Sequence, residues 1–303
     1  LLDRELSSYG AAAEVVLIDD ASVTPCPSDL IPDPLDAITQ VNVLRLRRNL
    51  GHQRALCIGL CAIGGSDRYV DSRGVVIMDA DGEDKPSDVP RLLERFSSHA
   101  GARLIFARRE RRSEGFIFTV SYKAYRVLHL ILTGIPVRVG NFSVVPRSFL
   151  DRLSVVSELW NHYAAAVVHA GLPTDSVPTT RGRRLFGESK MHFVSLIGHG
   201  LSAMSVFGDR IGVRSLIATI SLGALLFLAL VGTIAASLLT PIAFPVWAVT
   251  ATGVIIVLLT QSVILSLAFS MLIHVGRAGT TFLPARDYQW FIEGLRCVWK
   301  RDG

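Results

Sequence analysis

The chain has 303 residues, 50% of them hydrophobic, with 31 Lys and Arg against 26 Asp and Glu and a mean hydropathy of +0.41. That length buries one large core or two smaller ones with ease, and the hydropathy is high for a purely soluble enzyme. The net charge of +5 does not signal nucleic acid, because the basic residues gather in LRLRRN, RRERR and RGRR without interleaved aromatics; phosphates and anionic lipid headgroups are the expected partners.

In chain order, the opening LLDRELSSYG has no Met, signal peptide or strand, so the expectation is a fragment that starts inside a helix. Apolar runs at Val15–Ile18, Val75–Met78 and Leu104–Ala107 predict buried parallel strands, and the alternating Val41–Leu46 predicts a strand nearer an edge. Between them, His52–Ile63 predicts a helix ended by Gly64-Gly65, and Ser87–Ser97 one opened by a Ser cap. Cys26, Cys57, Cys61 and Cys297 form no CxxC pair; Cys57 and Cys61, one turn apart, suit the core of a reduced protein. Strands alternating with helices predict an open α/β sheet, whose ligands bind beyond the carboxyl ends of the strands. Asp19-Asp20, Asp79-x-Asp81 and Arg108 all fall there.

Downstream come a long helix, Phe116–Thr133, the segment GIPVRVGNFSVVPRSF, a helix near Leu159–Ala170 and the basic loop TTRGRRLFGESKMHF. Residues 193–214 are amphipathic enough to lie along a membrane interface. From Ser215 to Gly276 there is no Asp, Glu, Lys or Arg, and Ser215–Leu239 and Trp247–Val275 each exceed the ~20 apolar residues a spanning helix needs. A buried hairpin in a soluble core is the alternative. Arg210 and Arg214 before the pair, and Arg277 and Arg286 after it, put both ends in the cytoplasm by the positive-inside rule.

The acids cluster in VVIMDADGEDKPSDVP, residues 75–90. Hard oxygens from Asp79, Asp81 and Glu83 suit Mg2+ or Mn2+ completed by substrate phosphate, whereas Asp84 and Asp88 read as turn and helix-start residues. A plain surface turn is the bland alternative. IMDADGED also resembles the opening of haloacid-dehalogenase-type phosphatases, with Asp79 as nucleophile and Asp81 as acid/base, although Glu83 replaces their Thr and an α/β unit precedes the motif.

The order of motifs as a whole resembles membrane-anchored family 2 glycosyltransferases of the GT-A fold, of the dolichyl- or polyprenyl-phosphate sugar synthase type. The matching segments are IDDAS, NLGHQRALCIGL, DADGEDKPSDVP, the Arg108 and Arg111 pair in ARRERR, GNFSVVPR, RRLFGESKM and the C-terminal apolar helices. The resemblance implies an α/β GT-A domain over 1–190, lacking its first strand, an amphipathic segment over 191–214, a transmembrane hairpin over 215–275 and a cytosolic tail over 276–303. It implies that Asp19, Asp20 and Asp79 contact the donor, that Asp79, Asp81 and Glu83 surround the Mg2+ or Mn2+, and that Asp81, Arg108 and Arg111 form the catalytic group. Arg184 and Lys190 would hold acceptor phosphate. Glu83 stands where Gln is usual, and Asn141 and Ser143 where the family has Asp and Arg.

The implied partners are a nucleotide-diphosphate sugar, a polyprenyl phosphate (undecaprenyl or dolichyl) and the membrane, with homo-oligomerisation open and no nucleic acid. The implied location is a bacterial-type inner membrane with the catalytic domain cytoplasmic. The implied reaction is a single displacement with inversion, in which an ionised lipid phosphate needs no strong base; His52, His192 and His199 then read as helix-start or interface residues. A processive synthase would carry Q-x-x-R-W, which RDYQW does not match. A nucleotide-sugar-binding scaffold without turnover is the alternative from another class.

Overall fold

The computed structural model describes all residues except 25–33, 110–115, 137–138, 181, 183, 185–192, 240–245, 279–281 and 302–303. The chain divides into one unit of Leu1–Lys123, Val137–Val206 and Phe282–Gly303 and a second of Ala124–Pro136 and Phe207–Thr281. In chain order the elements are α1 (Leu2–Tyr9), β1 (Ala13–Asp19), β2 (Ile38–Leu46), α2 (His52–Gly64), β3 (Gly74–Ile77), α3 (Val89–Ser98), β4 (Leu104–Arg109), α4 (Phe116–Thr133), β5 (Ser143–Pro146), α5 (Arg147–Ser154), α6 (Tyr163–His169), β6 (Thr174–Thr179), α7 (Phe193–Ser205), α8 (Gly208–Leu239), α9 (Val246–Ala278), α10 (Pro284–Asp287) and β7 (Ile292–Lys300).

The first unit holds two sheets rather than one. In the order β3-β5-β4-β6, the short β5 runs antiparallel to both neighbours, with Ile77 opposite Ser143 and Ile105 opposite Val144, while β4 and β6 are parallel. The carboxyl ends of β3, β4 and β6 and the amino end of β5 therefore share one edge. The second sheet, β1-β2-β7, pairs β1 parallel to β2 and β7 antiparallel to it. This corrects the edge position expected for β2: it is the middle strand, nearly all buried, because the segment expected to be a tail returns as β7 and covers it. The return is anchored by Phe282 and Phe291 packing on Trp160, at ring distances of 4.0 and 5.1 Å.

Alternation along β4 explains how the four-stranded sheet is sandwiched. Leu104 and Phe106 join Cys57, Cys61, Leu150 and Tyr163 from α2, α5 and α6, whereas Ile105 and Ala107 join Leu6, Leu92 and Phe96 from α1 and α3. Each such fully buried side chain contributes roughly 1.5–3 kcal/mol by transfer from water. Cys57 and Cys61 are buried free thiols, in keeping with the sequence. Ser87 is not the expected cap: Pro86–Asp88 forms a single 3-10 turn, and α3 starts at Val89 with Pro90 in its first turn, where a missing N–H costs nothing. The helix expected near Leu159–Ala170 is likewise a 3-10 turn, Ser157–Trp160, followed by α6.

In the second unit, α8 and α9 contain stretches, Gly208–Ala235 and Thr250–Leu272, long and apolar enough to cross a membrane. Neither stretch is buried within the protein, and Leu225, Leu265 and Leu272 are exposed, which opposes the soluble-hairpin alternative. Small polar residues face each other between the two helices, with Thr219 Oγ1 3.5 Å from Ser266 Oγ. Arg214, within α8, donates from Nη1 to the Ile131 carbonyl at the end of α4 over 2.9 Å.

Candidate active site

After β3 the chain turns back on itself through its own acids. The Asp79 N–H donates to Oδ2 of buried Asp84 over 2.9 Å, and the Glu83 N–H donates to Asp81 Oδ1 over 2.9 Å, with Gly82 taking φ +85° between them. Asp84 is thus a turn residue, as expected. The turn leaves Asp81 Oδ2 and the Glu83 carboxylate facing one cation: Arg184 Nη2 lies 2.7 Å from the first and Arg184 Nε 3.6 Å from the second.

Arg184 arrives on the loop after β6, which lies directly on the acidic turn. The Gly182 N–H donates to the Glu83 carbonyl over 2.8 Å, and Lys85 Nζ donates to Thr180 Oγ1 over 3.0 Å. The approach is so close that a Cβ on Gly182 would stand 2.4 Å from the Gly82 carbonyl oxygen. Lys85 and Thr180 drew no attention in the sequence, since only the fold puts the loop here.

On the other side of the turn, Asp79 Oδ1 lies 3.5 Å from His52 Nε2, and Asn141 Nδ2 lies 2.7 Å from that same nitrogen. Ser143 Oγ donates to the Asn141 carbonyl and shares a 2.8 Å hydrogen bond with Tyr163 Oη. Burial pushes the Tyr163 phenol up, with the Ser143 hydrogen bond opposing it, so the phenol is a fixed hydroxyl beneath the site. Asn141 and Ser143, the departures noted in the sequence, are bonded into this edge.

The acidic pair after β1 has protein partners. Both Asp20 oxygens accept backbone N–H groups, from Leu50 at 2.7 Å and Gly51 at 2.8 Å, which pins the turn into α2; Gly51 needs its φ of +86° there. Asp19 Oδ1 accepts the Ser22 N–H, and its other oxygen lies 4.0 Å from Arg45. Arg108 is exposed near the end of β4, opposite Pro178 of β6. Arg111 and Lys190 lie outside the described residues.

Among the described residues, no three His, Cys, Asp or Glu side chains are gathered as a ready metal site. The donor chemistry nevertheless fits a hard divalent ion, because two carboxylates already converge on a single positive charge and a third, Asp79, opens the same turn.

The model of the family described as "Glycosyl transferase family 2" matches residues 1–154, just over half of the chain. The chain belongs to glycosyl transferase family 2. The matched span holds Asp19, Asp20, the whole acidic turn, Arg108 and Asn141; Arg184 lies beyond it. Similar proteins include the "Uncharacterized glycosyltransferase YkcC" of Bacillus subtilis, 24% identical over 56% of this chain and 51% of the relative. A "Prophage bactoprenol glucosyl transferase homolog" of Escherichia coli is 27% identical over 69% of this chain and 66% of its own length. An "Undecaprenyl-phosphate 4-deoxy-4-formamido-L-arabinose transferase" of Erwinia tasmaniensis is 23% identical over 61% of this chain and 54% of its own. The chain thus spans between half and two thirds of the length of these relatives. Family membership sets the phosphatase alternative aside.

Proposed function

We propose that this glycosyltransferase moves a sugar from a nucleotide-diphosphate sugar to a polyprenyl phosphate at the cytoplasmic face of a membrane. The observation that carries the reading is the convergence of Asp81 and Glu83 on one cation at the strand edge, where Arg108 also stands. Two similar proteins are named for bactoprenol or undecaprenyl phosphate, and the two apolar helices would keep the enzyme on the surface that holds such a lipid.

In the reaction, an oxygen of the lipid phosphate bonds to the anomeric carbon while the bond from that carbon to the nucleotide diphosphate breaks, with inversion. The ionised phosphate needs no base to remove a proton. Asp79, Asp81 and Glu83 would hold Mg2+ or Mn2+, which when bound neutralises charge on the departing diphosphate. Arg108 and Arg184 present guanidiniums, whose planar fork suits phosphate oxygens, and their charge favours the anionic leaving group as it forms. Arg184 pairs with the two carboxylates and would change partners when diphosphate arrives.

The test is to incubate the full chain in detergent with Mn2+ or Mg2+, undecaprenyl phosphate and a panel of radiolabelled nucleotide sugars, then extract lipid. Metal-dependent label in the lipid phase is the expected result. Donor binding with no lipid product from any sugar would replace the enzyme reading with that of a binding scaffold.

A further inference from the structure

The hydrogen bonds around His52 can be read in only one direction. The Tyr163 backbone N–H can only donate, and it does so to Gln53 Oε1 over 2.8 Å. Gln53 must therefore present its amide nitrogen on the other side, where Nε2 donates to Asn141 Oδ1 over 3.3 Å. Asn141 in turn must offer Nδ2, which meets His52 Nε2 at 2.7 Å. That ring nitrogen has to accept, so the ring proton sits on Nδ1. Nδ1 meets no protein group among the described residues, and the side chain is 56% exposed beside Asp79. His52 is also the first residue of the 13-residue helix α2, whose amino end favours an anion.

From this relay we infer that His52 is a substrate-binding residue, donating its Nδ1–H to a phosphate oxygen at the acidic turn, and that Gln53 and Asn141 are positioning residues that fix its tautomer. The inference rests on the active-site reading above and adds a donor to it. It also gives Asn141 a task that an Asp could not perform, since a carboxylate has no N–H to donate to His52. The phosphate belongs either to the nucleotide sugar or to the lipid acceptor, and the two are separable.

The test uses the full chain in detergent, labelled with 15N-histidine, with the His52 signals identified by their loss in His52→Asn. Long-range proton–nitrogen spectra are expected to show the proton on Nδ1, and Gln53→Leu or Asn141→Leu to shift it toward Nε2. Adding a nucleoside diphosphate with Mg2+, or undecaprenyl phosphate alone, should move the Nδ1 signal with one of the two, and this names the source. In kinetics, His52→Asn, whose amide falls where Nδ1 sits, loses less kcat/KM than either His52→Gln or His52→Ala, a partial rescue by the variant that keeps a donor there. His52→Gln and His52→Ala lose about ten- to a hundredfold in kcat/KM, the size of one hydrogen bond to a charged group, through the KM of the same substrate that moved the signal. A proton on Nε2 in the unaltered protein overturns the relay. A Nδ1 signal indifferent to both phosphates, with both KM values unchanged in His52→Ala, overturns the binding role. If the unaltered protein transfers no sugar but nucleotide still moves the signal, the transferase reading fails while the role of His52 stands.

Discussion

Asp20 and Asp81 are both carboxylates in turns that follow a strand, Asp20 after β1 and Asp81 after β3, yet their surroundings give them opposite tasks. Asp20 spends both oxygens on the N–H groups of Leu50 and Gly51, so Asp20→Ala leaves two backbone donors without partners at the start of α2. The expected cost is about 1–3 kcal/mol, seen as a lower midpoint in denaturant. Asp81 keeps one oxygen for a cation that the protein itself supplies. On the proposed reading, Arg184, which pairs with Asp81 and Glu83, competes with a divalent ion for them and also serves substrate phosphate. Arg184→Gln should tighten binding of Mn2+ to the substrate-free protein by about tenfold, measured by calorimetry, while lowering kcat/KM for transfer. Loss of both metal affinity and activity would contradict that division.

At the scale of elements, local patterns were legible and long-range pairings were not. The apolar runs of β1, β3 and β4, the helix from His52 and the two long apolar helices all carry their own period or length, and the structure has them close to expectation, save that α8 begins at Gly208 rather than Ser215. β5 has only four residues, and β7 finds β2 from the far end of the chain, so neither carried a readable signal. The same holds for the site. Asp79, Asp81 and Glu83 declare themselves within five residues, but Arg184 reaches Asp81 across 103 positions and Asn141 reaches His52 across 89.

The loop that carries Arg184 depends on Gly182, where a side chain would collide with the Gly82 backbone. Gly182→Ala should lift the loop and lower kcat/KM about tenfold or more, with little change in melting temperature. A second long-range contact, between α3 and β6, sets a pH dependence. Burial acts against the Asp175 carboxylate, but hydrogen bonds from His99, the Ser176 N–H and Arg95 outweigh it and hold its pKa at about 2. A depressed carboxylate stabilises the fold above its ordinary pKa of about 4 and loses that contribution as pH falls toward 2. Asp175→Asn should therefore melt earlier at pH 6, with the gap to the unaltered protein closing as the pH is lowered through this window.

For the whole molecule, the charged edge and the apolar helices make sense together. The first unit gathers carboxylates and guanidiniums at the ends of β3, β4 and β6, as the proposed handling of a diphosphate would require, and the second unit exposes apolar side chains along helices of membrane length. Whether the acidic turn drives transfer of sugar to a lipid phosphate is read from the label recovered in the lipid phase by the unaltered protein and by Asp81→Asn, each with saturating Mn2+. Metal-dependent label is expected with the former and a loss of at least about a hundredfold with the latter, at unchanged melting temperature. Equal lipid labelling by the two proteins would contradict that role of the turn.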